Sequence, residues 1–204
     1  MRALPRIIQG FAGAVVGFTF FSILVVPHVE PQAADPIVLG RQALDADRAD
    51  EAIRIFEKAV AADPKDPAAL AWLGSAQVRK AKEAPLLEKV GWVKRGFNTL
   101  DDAVELFSNA FIVYMVRGIT ASQVPDMFMK APAAVKDLST IIAMREKKPD
   151  AVPDSVMPTV YLHLGIAYKK NGQKAEARAA WEKGKTAYPS SPEAKTMEKE
   201  LRSL

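Results

Sequence analysis

Residues able to do acid–base, nucleophilic or metal chemistry are few in this chain and stand apart. Its 204 residues include two histidines, His28 and His163, and no cysteine. A zinc site needs three or four converging ligands, and a His-based acid–base pair needs both groups near one reacting atom. His163 lies between Leu162 and Leu164, as an ordinary helix histidine would, and His28 lies in a linker. Asp101 and Asp102 are neighbours, so on a helix they point in different directions and form a solvated edge. The glycines fall singly, with no run that could cradle a phosphate. Absence of cysteine removes disulfides, thiolate metal sites and a thiol nucleophile. No catalytic residue, metal ligand or cofactor is therefore assigned. The net charge of +4 is spread among interspersed acids and bases, which argues against nucleic acid as a partner.

The spacing of small and large apolar residues is far more regular than the chemistry. Leu39-Gly40 is followed by Ala52, Phe56, Ala59 and Pro64; Leu164-Gly165 is followed by Ala177, Trp181, Gly184 and Pro189 at the same offsets. Small residues facing each other let two antiparallel helices approach closely, an aromatic fills the space beside them, and proline stops the second helix. No alternating β-type runs occur, so the fold is expected to be all-α. Four helix pairs are predicted. The first covers residues 35–63 and turns at Asp45-Ala46-Asp47, where Asp side chains can cap the next helix. The second starts at Lys65-Asp66-Pro67 and carries Trp72-Leu73-Gly74, about one 34-residue period after the first Leu-Gly. Its second helix carries Gly96, Leu100 and Ala103, displaced by about ten residues, so an insert around residues 81–92 lengthens the helix pair or its loop. The third starts near Ala110, has Arg117 where leucine is usual, and runs through an apolar loop at 123–132 into Ala134, Leu138 and Ile141. The fourth turns at Asn171-Gly172, and a Lys/Glu-rich helix from Pro192 to Leu204 caps the array.

These positions resemble the tetratricopeptide repeat (TPR) family, strongly at 39–64 and 160–189 and weakly between them. The resemblance implies a right-handed superhelix whose concave face, lined by the first helix of each pair, holds a peptide or partner helix. Carried over position by position, that face comprises Ile37, Arg41, Ala71, Ser75, Arg79, Ile112, Met115, Ile119, Leu162, Ile166 and Lys169. It is apolar with scattered cations and lacks the Lys/Asn cluster that family members use to hold a C-terminal carboxylate. An amphipathic helix suits it; tight winding, with these residues packed against the insert or the membrane-proximal linker, is the alternative. Met127, Phe128 and Met129 either touch a partner or the membrane surface, or fold back over the neighbouring repeat.

Arg2 and Arg6 precede an uncharged run at 7–26, about 20 residues, enough to cross a ~30 Å hydrocarbon core. The domain organisation expected is a membrane anchor at 1–28, a linker at 29–36 and the repeat domain at 37–204. Basic residues before the span place the N-terminus in the cytoplasm of a bacterium and the repeats in the periplasm, attached to the inner membrane. Gly13 and Gly17 form a small-xxx-small motif suited to helix packing in the bilayer. A cleaved signal sequence is the competing reading. The function expected is a non-enzymatic scaffold that binds another membrane or envelope protein and helps assemble or stabilise a complex. The alternative is a soluble periplasmic binding or carrier module, released by cleavage.

Overall fold

Helix-starting and helix-stopping residues divide the chain close to where the spacing places them. The computed structural model describes residues 34–204; the expected span, Gly13, Gly17 and His28 lie outside them. Among the described residues there are nine α-helices and no strand, and no helix is long and apolar enough to cross a membrane.

The first pair is α1 (Pro36–Asp45) and α2 (Ala49–Ala62), the second α3 (Pro67–Lys80) and α4 (Leu86–Leu106). The third is α5 (Phe111–Gln123) and α6 (Ala131–Lys147), the fourth α7 (Met157–Lys170) and α8 (Lys174–Ala187), followed by α9 (Pro192–Arg202). Proline in the first turn needs no donor, and Asp35 and Asp66 accept the next free backbone N–H at 2.8 Å, fixing the starts of α1 and α3. The turn before α2 differs from the expected aspartate cap. Arg48 stands at the cap position, and its side chain makes no capping hydrogen bond. Backbone closes the turn instead: Arg48 N–H donates to the Ala43 carbonyl at 2.8 Å, with Asp47 left-handed at φ 52°. Gly172 does the same in the fourth pair at φ 77°, where glycine carries no steric cost.

The close approaches run through the predicted small residues. A Cβ on Gly40 would collide with the Phe56 ring, and one on Gly165 with the Trp181 ring. Both rings are fully buried. Consecutive odd-numbered helices (α1, α3, α5, α7) touch one another, and each even-numbered helix packs between its own partner and the next odd one. Burial is therefore a chain of local clusters: one around Phe56, one around Phe97 and Leu100, and one around Trp181 that also takes in Met197 of α9. The insert resolves into helix. α4 begins ten residues before Gly96 while α2 begins three before Ala52, so α4 gains seven residues, about two turns.

Candidate functional site

Those two extra turns have too few neighbours to cover them. α3 stops at Lys80 and α5 at Gln123, so the start of α4 overhangs its own pair. The α5–α6 loop comes up opposite, and between them lies an open cleft of about 590 Å³. Val78, Val93 and Val124 are buried in its floor, while Leu86, Val90 and Met127 stand 79%, 58% and 75% exposed at its rim. Phe128 separates this cleft from a smaller hollow of about 210 Å³ on the far side. The loop is held from both sides. Lys170 Nζ donates to the Val124 carbonyl at 2.7 Å, and Lys130 sits 4.2 Å from the centre of the Phe97 ring. Met129 takes a left-handed φ of 50° at the end of a 3-10 turn, Asp126–Phe128, that presents Met127 outward.

The expected groove residues divide. Arg41, Ser75, Arg79 and Ile119 do meet, around a small hollow of about 90 Å³. Arg41 lies over the Trp72 ring at 5.1 Å, and Arg79 Nη1–H donates to the Leu44 carbonyl at 2.9 Å, tying α3 to the end of α1. Ser75 is buried rather than presented, because its hydroxyl accepts from Thr120 Oγ1 at 3.0 Å across two repeats. Leu162 and Ala71 are likewise buried, and the Leu162 carbonyl accepts from Trp181 Nε1 at 2.9 Å. Lys169 is engaged by α9, donating to Glu200 at 2.8 Å and Ser203 at 3.2 Å. Ile37, Ile112, Met115 and Ile166 are half-buried against the clusters. In the loop, Phe128 folds back against the core while Met127 and Met129 are exposed. The repeat pattern does not assign Leu86, Val90 and Val93 of α4; their signal is apolar residues at i, i+4 and i+7, running from the insert to just past its end.

Two interior polar groups set the third and fourth pairs. Arg117 forms two hydrogen bonds of 2.7 Å to the fully buried Asp137 and one of 2.8 Å to Asp101. Hydrogen bonding to Asp137 holds Arg117 more firmly protonated, while desolvation pushes the Asp137 carboxyl up by more than Arg117 pulls it back. Asp101 is thus an ion-pair partner as well as a solvated edge. Ser122 Oγ–H donates to the Ile119 carbonyl at 2.7 Å, and its oxygen lies 2.9 Å from His163 Nδ1, joining α5 to α7. Burial pulls His163 down to about 4.

A pH dependence follows. Unfolded His163 titrates near 6.5 and folded His163 near 4, so between these values the unfolded state binds the extra proton. Stability from the neutral, part-buried ring is complete above pH 6.5 and lost as pH falls toward 4, a total of about 3 kcal/mol. Urea unfolding at pH 7.5 and 4.5 is expected to show that loss, and His163→Asn to remove most of it.

Two family profiles described as tetratricopeptide repeat match the chain, at residues 43–82 and 158–191. The fold repeats the same helix pair between and around them. The chain carries tetratricopeptide repeats. Among solved structures, the thermophilic TPR protein TTC0263 of Thermus thermophilus is similar at 20% identity and a TM-score of 0.50, covering 83% of this chain and 98% of that one. MamA is similar at 22% identity and a TM-score of 0.48, covering 81% and 86%. No curated protein matches. TPR arrays generally mediate protein–protein interactions, and in this TPR protein the surface peculiar to the chain is the cleft, built where the repeat spacing departs from the family period.

Proposed function

We propose that this TPR protein is a non-enzymatic scaffold that holds another envelope protein, fixed to a bacterial inner membrane through residues 7–26 with its repeats in the periplasm. The fold's usual role supports the binding function, and the uncharged N-terminal run supports the anchor. The observation that carries the reading is the open apolar cleft, since a rim of largely exposed Leu86, Val90 and Met127 is costly to leave in water without a partner.

Pull-down of the tagged full-length chain from gently solubilised membranes is expected to recover one stoichiometric partner, and Leu86→Asp with Val90→Asp to reduce its recovery at least tenfold. Unchanged recovery would sink the cleft as the docking surface. These positions are better probes than Arg41 and Arg79, because reversing Arg79 also cuts the bond to the Leu44 carbonyl. A second reading is a released periplasmic carrier for a small apolar ligand or exported polypeptide. The cleft volume of about 590 Å³ favours it to the extent that small-molecule sites fall in this range. Intact mass separates the two: a retained 1–26 segment rules out release.

A further inference from the structure

We propose that the cleft takes an amphipathic helix of a partner protein whose apolar stripe is flanked by Asp and Glu. The inference rests on the scaffold reading and names the chemistry of the partner.

Along α4, Leu86, Val90, Val93, Phe97 and Leu100 fall at i, i+4, i+7, i+11 and i+14, a single stripe down one face. Val93, Phe97 and Leu100 are buried, packed among residues of α3 and α5. Leu86 and Val90 continue the same stripe for two turns where α3 has already ended. The half that is covered is covered by helices, so the uncovered half has the spacing and width that another helix fills.

Charge sets the flanks of the incoming helix. Arg79, Lys82 and Lys89 line the cleft, Lys94 and Lys130 line the hollow beyond Phe128, and neither lining includes a carboxylate. Arg79 and Lys89 each direct one N–H at a backbone carbonyl, which leaves their positive charge unneutralised. Basic rims on an apolar trough steer toward acidic flanks and repel basic ones.

The test titrates the full-length purified chain with two dye-labelled helical peptides of about 18 residues, five turns. Both carry leucine at i, i+3, i+4 and i+7; one has Glu and the other Lys beside the stripe. Fluorescence anisotropy is expected to show the Glu peptide binding at least tenfold tighter. Lys82→Glu with Lys89→Glu is expected to reverse that order, and Val90→Asp to remove binding of either peptide. All three positions lie at the surface or half-buried, so circular dichroism is expected to report unchanged helix content. Equal affinity for both peptides overturns the proposal, as does Glu-peptide binding unaffected by Val90→Asp. Val90-dependent binding of phosphatidylglycerol vesicles, with neither peptide bound, also overturns it in favour of a membrane surface. If capture of a native partner still depends on Val90 while both peptides fail, the scaffold reading stands and the acidic helix falls.

Discussion

Replacing Arg117 with leucine, the residue usual at this repeat position, is expected to destabilise the protein by about 3–5 kcal/mol. Restoring a family-typical residue ordinarily stabilises. Here it would leave Asp137, wholly buried between α5 and α6, with no partner for either oxygen. Removing one member of a buried pair costs far more than the pair is worth, because the survivor keeps its desolvation penalty. Asp137→Leu is expected to cost less, about 1–3 kcal/mol, because the guanidinium keeps its 2.8 Å bond to Asp101. The double variant Arg117→Leu with Asp137→Leu is expected to return to within about 1 kcal/mol of the parent, since an apolar pair needs no compensation. Asp101→Ala is expected to cost under about 1 kcal/mol, its side chain being 57% exposed. Urea unfolding of the parent, Arg117→Leu, Asp137→Leu and the double variant closes a double-mutant cycle. Additive losses at Arg117 and Asp137 would show that the pair does not act as a unit.

This pair also marks where sequence stops being legible. Arg117 is visible as a departure from the repeat pattern, but nothing local points to Asp137, twenty residues on and one helix over. The helix pairs are legible because their determinants are local: the small residues at 40 and 165, the rings at 56 and 181, and Pro36 and Pro67 in first turns. The groove list is less so, because a family pattern assigns faces but not neighbours. Ser75 is taken by a Thr120 hydroxyl, Lys169 by a terminal helix, and Leu162 by packing beside Trp181. The cleft lies between these cases. Its α4 stripe is written in the insert, yet which turns stay uncovered depends on α3 ending at Lys80 and on the loop carrying Met127 to the opposite rim.

The other large effect belongs to the clean fourth repeat, where Trp181→Ala is expected to cost about 3–5 kcal/mol. The ring is fully buried in the cluster that joins α6, α7, α8 and α9, and its Nε1–H is the donor to the Leu162 carbonyl. Burial runs as a chain of local clusters, so the loss is expected to be local too: amides in α7 to α9 should lose hydrogen-exchange protection while those in α1 and α2 keep theirs. Uniform loss across all helices would instead mean one cooperative core. The partner position gives a sharper test. Gly165→Ala alone is expected to destabilise by about 1–3 kcal/mol, because its Cβ strikes a rigid ring that has no room to retreat. Once Trp181 is alanine the obstacle is gone, and alanine is favoured over glycine within a helix by about 1 kcal/mol. The same substitution is therefore expected to change sign, from destabilising to stabilising. Only direct contact between Gly165 and Trp181 produces that reversal; helix propensity alone would make Gly165→Ala stabilising in both backgrounds.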